Sequence, residues 1–198
     1  MKLKRLLSPK FYVLNRSYKK MLEKDYEFNA KFRGTQKLSR KFLKGYEWHY
    51  ITLYRKYQSN HDNIWGQYFG WKLEKLENKT GFSFEKNINI GSGLIIGHWG
   101  KIVLNGQAKL GNNVFLTHGV TIGRDVRGKR KGVPVIGDRV CIRANSTVVG
   151  NVHIGNDVLI APNTFVNFDV PDHSIVIGNP ASIHHRDNAT EGHLPYLD

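Results

Sequence analysis

The sequence predicts a mainly β fold: a parallel β-helix of hexapeptide repeats, preceded by an α-helical N-terminal segment. Three observations predict it. Apolar residues recur every six positions at Phe84, Ile90 and Ile96, then at Leu104, Leu110, Leu116 and Ile122, and again at Ile136, Ile142, Val148, Ile154, Ile160 and Val166. Four places after many of them stands a small or β-branched residue, as at Val114, Val120, Val140, Ser146, Val152, Val158, Thr164 and Val170. Gly or Asn frequently fills the turn, as in "LGNNV", "IGDRV" and "IGNDV". A period of six fits neither an α-helix nor an alternating hairpin strand. It fits a solenoid in which each hexad supplies one short strand and one turn, and three hexads close a triangular coil.

Taken in order, residues 1–80 read as a helical N-terminal region, with a basic, aromatic arm over the first thirty. Leu38, Phe42, Leu43, Tyr46, Tyr50, Leu53 and Tyr54 follow the helical period. "NIWGQYFGWKLEKLENKTG" predicts a further helix, with Gly81 as its stop signal. Residues 81–182 form the β-helix, with an inserted loop at 124–135. Residues 183–198 are a C-terminal tail.

The composition bounds the function classes. The chain has 198 residues, 40% of them hydrophobic, which is enough for a core. The single cysteine, Cys141, excludes an internal disulfide framework and fits a reducing compartment. No stretch approaches the roughly 20 apolar residues of a membrane-spanning helix, and "MKLKRLLSPK" lacks the apolar run of a signal peptide. A cytoplasmic protein is expected, with peripheral contact at the inner face of the membrane left open. The net charge is +14, and it is uneven: residues 1–80 carry 19 Lys and Arg against 7 Asp and Glu, the remainder 11 against 9. The basic N-terminal region is either a solvated face or a contact for an anionic glycan or membrane surface. Nucleic acid is not expected as a partner.

The repeat breaks twice. "GHWGKIVL" carries two extra residues, and "GRDVRGKRKGVPV" carries about eight. Insertions in a solenoid map to surface loops, often on the binding face. Three hexads span eighteen residues, so Ile96 and Leu116, twenty apart, occupy the same face on successive coils. His98 and His118, each two places further on, then stack at one corner, with Ala144 and Pro162 next in that column. Two imidazoles so placed are either a base and its helper or structural hydrogen-bonding groups at a turn. Metal binding needs three or more convergent ligands; no third histidine falls in the column, and no metal is expected.

At these residues the chain resembles the hexapeptide-repeat acyltransferases, most closely their serine acetyltransferase branch. The resemblance runs over about residues 80–185 and rests on "TGFSFEKNINIGSGLIIGHWGKIVLNGQAKLGNNVFLTHGVTIG", "VIGDRVCIRANSTVVGNVHIGNDVLIAPNTFVNFDVP" and "VIGNPA". It implies a left-handed β-helix, a homotrimer, and acetyl-CoA lying between adjacent subunits. It implies His98 as the general base; His118, stacked on it by the register, is a candidate second catalytic or acceptor-binding residue, and Trp99 a candidate acceptor contact. It implies a cofactor groove at Ala144, Ala161, Gly178 and Pro180. Arg130 and Lys131 in the inserted loop are candidates for the CoA phosphates or an anionic glycan.

Two positions depart from that branch. Gly97 stands where the branch has an Asp before its catalytic His. "RKGVP" stands where it has Arg-His-Pro, with Val133 in place of the second histidine. Both groups serve an amino-acid acceptor, so the expectation becomes acetylation of a carbohydrate hydroxyl in a capsule, exopolysaccharide or lipopolysaccharide. Trp48, Tyr50, Trp65, Tyr68, Phe69 and Trp71 are then a candidate sugar platform, or core and trimer contacts. The alternatives are a serine O-acetyltransferase of cysteine biosynthesis and, from another class, a trimeric zinc hydratase on the same fold.

Overall fold

The computed structural model describes residues 8–195. Lys2, Lys4 and Arg5 of the basic arm and the last three residues of the tail lie outside them. A 3-10 turn at Pro9–Tyr12 leads into four helices: α1 (Tyr18–Phe32), α2 (Arg40–Leu43), α3 (Tyr46–Asn60) and α4 (Ile64–Thr80). Their ends follow local chemistry. Asn63 caps α4 by accepting from the Trp65 and Gly66 amides, and Gly81 closes it in the left-handed conformation at φ 75°. None of the described helices is long and apolar enough to cross a membrane.

From Phe82 the chain winds as a parallel β-solenoid with three faces. The first face stacks β1 (Phe82–Phe84), β4 (Ile102–Leu104), β7 (Thr121–Gly123), β10 (Thr147–Val149) and β13 (Phe165–Val166). The second stacks β2 (Asn89–Ile90), β5 (Lys109–Leu110), β8 (Val135–Ile136) and β11 (His153–Ile154). The third stacks β3 (Ile95–Ile96), β6 (Phe115–Leu116), β9 (Val140–Ile142), β12 (Val158–Ile160) and β14 (Ser174–Gly178), and ends in the antiparallel β15 (Ala181–His185). Strand pairing follows the hexad register: Ile96 pairs with Leu116, Leu116 with Ile142, and Ile142 with Ile160. Both repeat breaks are therefore taken up in loops, and no strand slips onto the wrong face.

The hexad positions fill the interior. Ile90, Ile96, Leu104, Leu116, Ile122, Ile142, Val148, Ile160 and Val166 are all 0% exposed. Each such side chain contributes about 1.5–3 kcal/mol of burial. The third face is covered on its outer side as well. Ile95, Phe115, Cys141 and Leu159 pack there with Phe28 of α1 and Leu194, with Phe32 and Ile175 alongside.

A buried ion pair ties the helices to the first coil. Arg55 of α3 donates to Asp25 of α1 through Nε at 2.7 Å and Nη2 at 3.1 Å, and both side chains are fully buried. Asp25 also accepts the Gly93 and Leu94 amides, at 2.7 and 3.0 Å. Arg55 donates to the carbonyls of Ile90 and Gly91. Every polar group in this knot thus has a partner, which is the condition for burying charge at all.

The C-terminal segment is pinned at Asp157. Its carboxylate accepts from the Thr190 hydroxyl, the His173 ring and the Ala189 and Thr190 amides. Burial pushes this carboxyl up, but those hydrogen bonds, led by Thr190 and then His173, outweigh it and hold it below the usual carboxylate range. A depressed folded-state pKa stabilises above the unfolded value and is lost as the pH falls through the folded one. Acidification is therefore expected to release residues 188–194 before the coils melt. Hydrogen exchange at the Ala189 and Thr190 amides should accelerate in acid while the Ile142 and Ile160 amides stay protected; uniform loss would contradict this.

Candidate active site

The turn that follows the third face carries one residue per coil at each level. Two places beyond the paired residues Ile96, Leu116, Ile142, Ile160 and Val176 stand His98, His118, Ala144, Pro162 and Gly178. His98 and His118 are exposed, with ring centroids 5.7 Å apart at 73°. Gly119 completes the turn at φ 75°, and a Cβ there would overlap the side-chain oxygen of Asn145 on the next coil.

The main chain orients His98. Its Nδ1 lies 2.7 Å from the carbonyl oxygen of Trp99. A carbonyl only accepts, so Nδ1 is the donor in this contact, and in the neutral ring Nε2 is then the acceptor. The Trp99 indole stacks on His98 at 5.9 Å and meets Tyr46 edge-on at 6.3 Å. The Trp99 N–H donates to Glu47 Oε1 at 3.1 Å. Glu47 is invisible as a site residue in sequence, because it lies 52 residues away on α3. The two extra residues of the repeat form this loop, and Gly100, at φ 138°, turns it back beside His118.

Gly97 has a packing cause. A Cβ at this position would overlap the Phe115 ring, so a carboxylate in front of His98 would require that ring to move. Val133 is likewise partly buried and packed against the core. Cys141, on the face behind the column, is pushed up to about 12 by burial and is no nucleophile. Among the described residues no group of three or more His, Cys, Asp or Glu could hold a metal ion.

The other expected site residues divide between two corners. Ala144 and Gly178 share the histidine column, and the half-exposed Ala161 precedes Pro162 of that column. Arg130 and Lys131 sit elsewhere, in a loop that leaves β7 of the first face, closes through an Asp125–Gly132 bridge and enters β8 of the second. Arg130 pairs with Asp169 at 3.0 Å. Exposed pairs of this kind contribute about 0–1 kcal/mol, so the guanidinium is free to exchange partners. The aromatic platform does not form as one surface. Trp48, Tyr50 and Phe69 are buried in the core, while Trp65, Tyr68 and Trp71 are exposed on α4, with Lys72 over Tyr68 and Lys75 over Trp71.

Residues 134–167 match the family described as "Bacterial transferase hexapeptide (six repeats)". Serine acetyltransferase 2 of Arabidopsis thaliana is 32% identical over 147 residues, covering 71% of this chain and 43% of that protein. The serine acetyltransferase of Helicobacter pylori is 35% identical over 102 residues, covering 52% of this chain and 60% of that protein. The chain thus spans about half the length of these relatives. Among solved structures, Neisseria gonorrhoeae serine acetyltransferase in complex with serine superposes with a TM-score of 0.70 at 27% identity, over 85% of this chain and 69% of that one.

These similarities correct the expectation of a carbohydrate acceptor and of a role in polysaccharide biosynthesis: the relatives and the structural neighbour are serine acetyltransferases. The error has a physical source. Gly97 and Val133 suggest lost acceptor contacts only when taken alone: the Phe115 ring occupies the space of a Cβ on Gly97, and Val133 packs partly buried against the core. Residues 134–167 match the hexapeptide repeats of the bacterial transferases, and the relatives that match the chain are serine acetyltransferases.

Proposed function

We propose that this chain is an acetyl-CoA-dependent O-acetyltransferase whose acceptor is L-serine, with His98 as the general base. The observation that carries the reading is the Nδ1 contact to the Trp99 carbonyl, which leaves Nε2 as a hydrogen-bond acceptor at an exposed corner. Nε2 takes the proton of the serine hydroxyl as its oxygen attacks the thioester carbonyl. The resulting tetrahedral centre collapses by breaking the carbon–sulfur bond. The imidazolium returns the proton to the sulfur, so CoA leaves as a thiol. His118, edge-on to His98, and Trp99, stacked on it, line the approach to the hydroxyl.

Acetyl-CoA lies along the column beyond the histidines. Ala144, Ala161 and Gly178 present little side chain there, so a narrow pantetheine arm can lie against backbone, with Pro180 at the end of the path. The chain acts as a homotrimer, which supplies the second wall of the groove and brings Arg130 and Lys131 of a neighbouring copy toward the CoA phosphates.

The reading is tested first on the cofactor. A ligand that binds the folded state at about 100 times its Kd stabilises it by about 2.7 kcal/mol. CoA is therefore expected to raise the melting temperature of the wild type. Ala161→Trp should abolish the rise while leaving the circular dichroism unchanged. The absence of any shift at saturating CoA and acetyl-CoA would contradict the reading.

A further inference from the structure

The geometry points to Glu47 as a positioning residue for His98, acting through the main chain of Trp99. The inference rests on the proposed base role of His98. Gly97 has no side chain to offer His98, and the Phe115 ring lies where its Cβ would be. The group that orients the imidazole is instead the Trp99 carbonyl. A main-chain oxygen orients a ring only as well as its own loop is fixed. Residues 97–101 bulge from the coil at the two-residue excess, and two backbone bonds anchor the ends, Gly97 N–H to Leu116 and Gly119 N–H to Lys101. Between those anchors the Glu47 carboxylate holds the Trp99 N–H at 3.1 Å. The same residue of the loop is therefore fixed at its N–H and accepts the ring at its C=O.

Glu47 is suited to this work. It lies in the first turn of α3, where the helix dipole favours a carboxylate. Arg33, half-buried and charge-coupled to it, adds a cation. The helix is seated by Trp48, Tyr50, Ile51, Leu53 and Tyr54, all buried. Tyr46, one residue before Glu47, packs against the Trp99 indole. The helical region thus reaches the reacting corner through one hydrogen bond and one ring contact. When the imidazole takes a proton, its Nδ1–H bond to the carbonyl strengthens, and a fixed loop keeps that bond aligned.

The test compares wild type with Glu47→Gln, which keeps an acceptor oxygen, and with Glu47→Ala and Glu47→Leu, which do not. Glu47→Ala and Glu47→Leu are expected to lower kcat by roughly 10–100-fold, with KM for both substrates within about threefold. Glu47→Gln should recover most of the rate. Imidazole 15N NMR of His98, at a pH where the ring is neutral, reads the same effect without turnover. Wild type and Glu47→Gln should show a protonated Nδ1, and the other two a mixture of tautomers. A protonated Nε2 in the wild type, or an unchanged tautomer and kcat in Glu47→Ala and Glu47→Leu, would overturn the proposal. Should the tautomer depend on Glu47 while serine is not acetylated, the positioning role stands and the acceptor assignment fails. Leucine retains the apolar bulk of the side chain, so loss of folding in the alanine variant alone leaves the comparison intact.

Discussion

Replacing His98 with alanine is expected to lower acetyl transfer by about 10²–10⁴-fold, the usual contribution of a positioned base. A hydroxyl is a weak nucleophile at neutral pH, and attack on a thioester needs a proton acceptor within hydrogen-bond reach. The effect should fall on kcat and kcat/KM together, because the proton moves only in the transition state. CoA should still raise the melting temperature of the variant, since the alanines and glycine of the groove are untouched. His118→Ala should cost less, as its ring meets His98 edge-on at 5.7 Å. Steady-state thiol release with both variants checks this. Near-full activity in His98→Ala would mean that the histidine column is structural and the base lies elsewhere.

The largest effect on stability is expected at Asp25. Asp25→Ala removes the partner of a fully buried guanidinium and the acceptor of the Gly93 and Leu94 amides. Breaking one side of a buried pair costs about 3–5 kcal/mol, and each amide left without an acceptor adds to the loss. Arg55→Ala should fall in the same range, because it strips the donor from the Ile90 and Gly91 carbonyls and leaves the buried Asp25 without its guanidinium. The double substitution should cost less than the sum of the two, since the residues share one network. Urea unfolding at neutral pH measures all three. A midpoint for Asp25→Ala equal to that of wild type would show that the helices are not tied to the solenoid through this knot.

Much of the solenoid could be read from the chain, because a six-residue period leaves a side-chain pattern that few other architectures share. The pairing of Ile96 with Leu116, and with it the stacking of His98 on His118, followed from counting across the two-residue excess. Contacts made at a distance in sequence left no such mark. Nothing local to Asp25 or Arg55 announces that they meet inside the protein. Glu47 reads as an ordinary first-turn acid until α3 is laid beside the loop of Trp99. The acceptor was misread for a related reason. Gly97 and Val133 depart from a motif position by position, yet each also has a packing neighbour: Phe115, eighteen residues on, against Gly97, and the core against Val133. Substitutions at a site report on the acceptor only after packing has been ruled out as their cause.

The central claim is that this corner moves an acetyl group from CoA to serine, with His98 as the base. It is tested most directly by mixing the purified chain with acetyl-CoA and L-serine, following free thiol, and identifying the product by mass spectrometry. Release of CoA thiol matched by O-acetylserine in the wild type, and lost in His98→Ala, is the predicted result. Saturable CoA binding without serine-dependent thiol release, under conditions where the protein is folded, would contradict it.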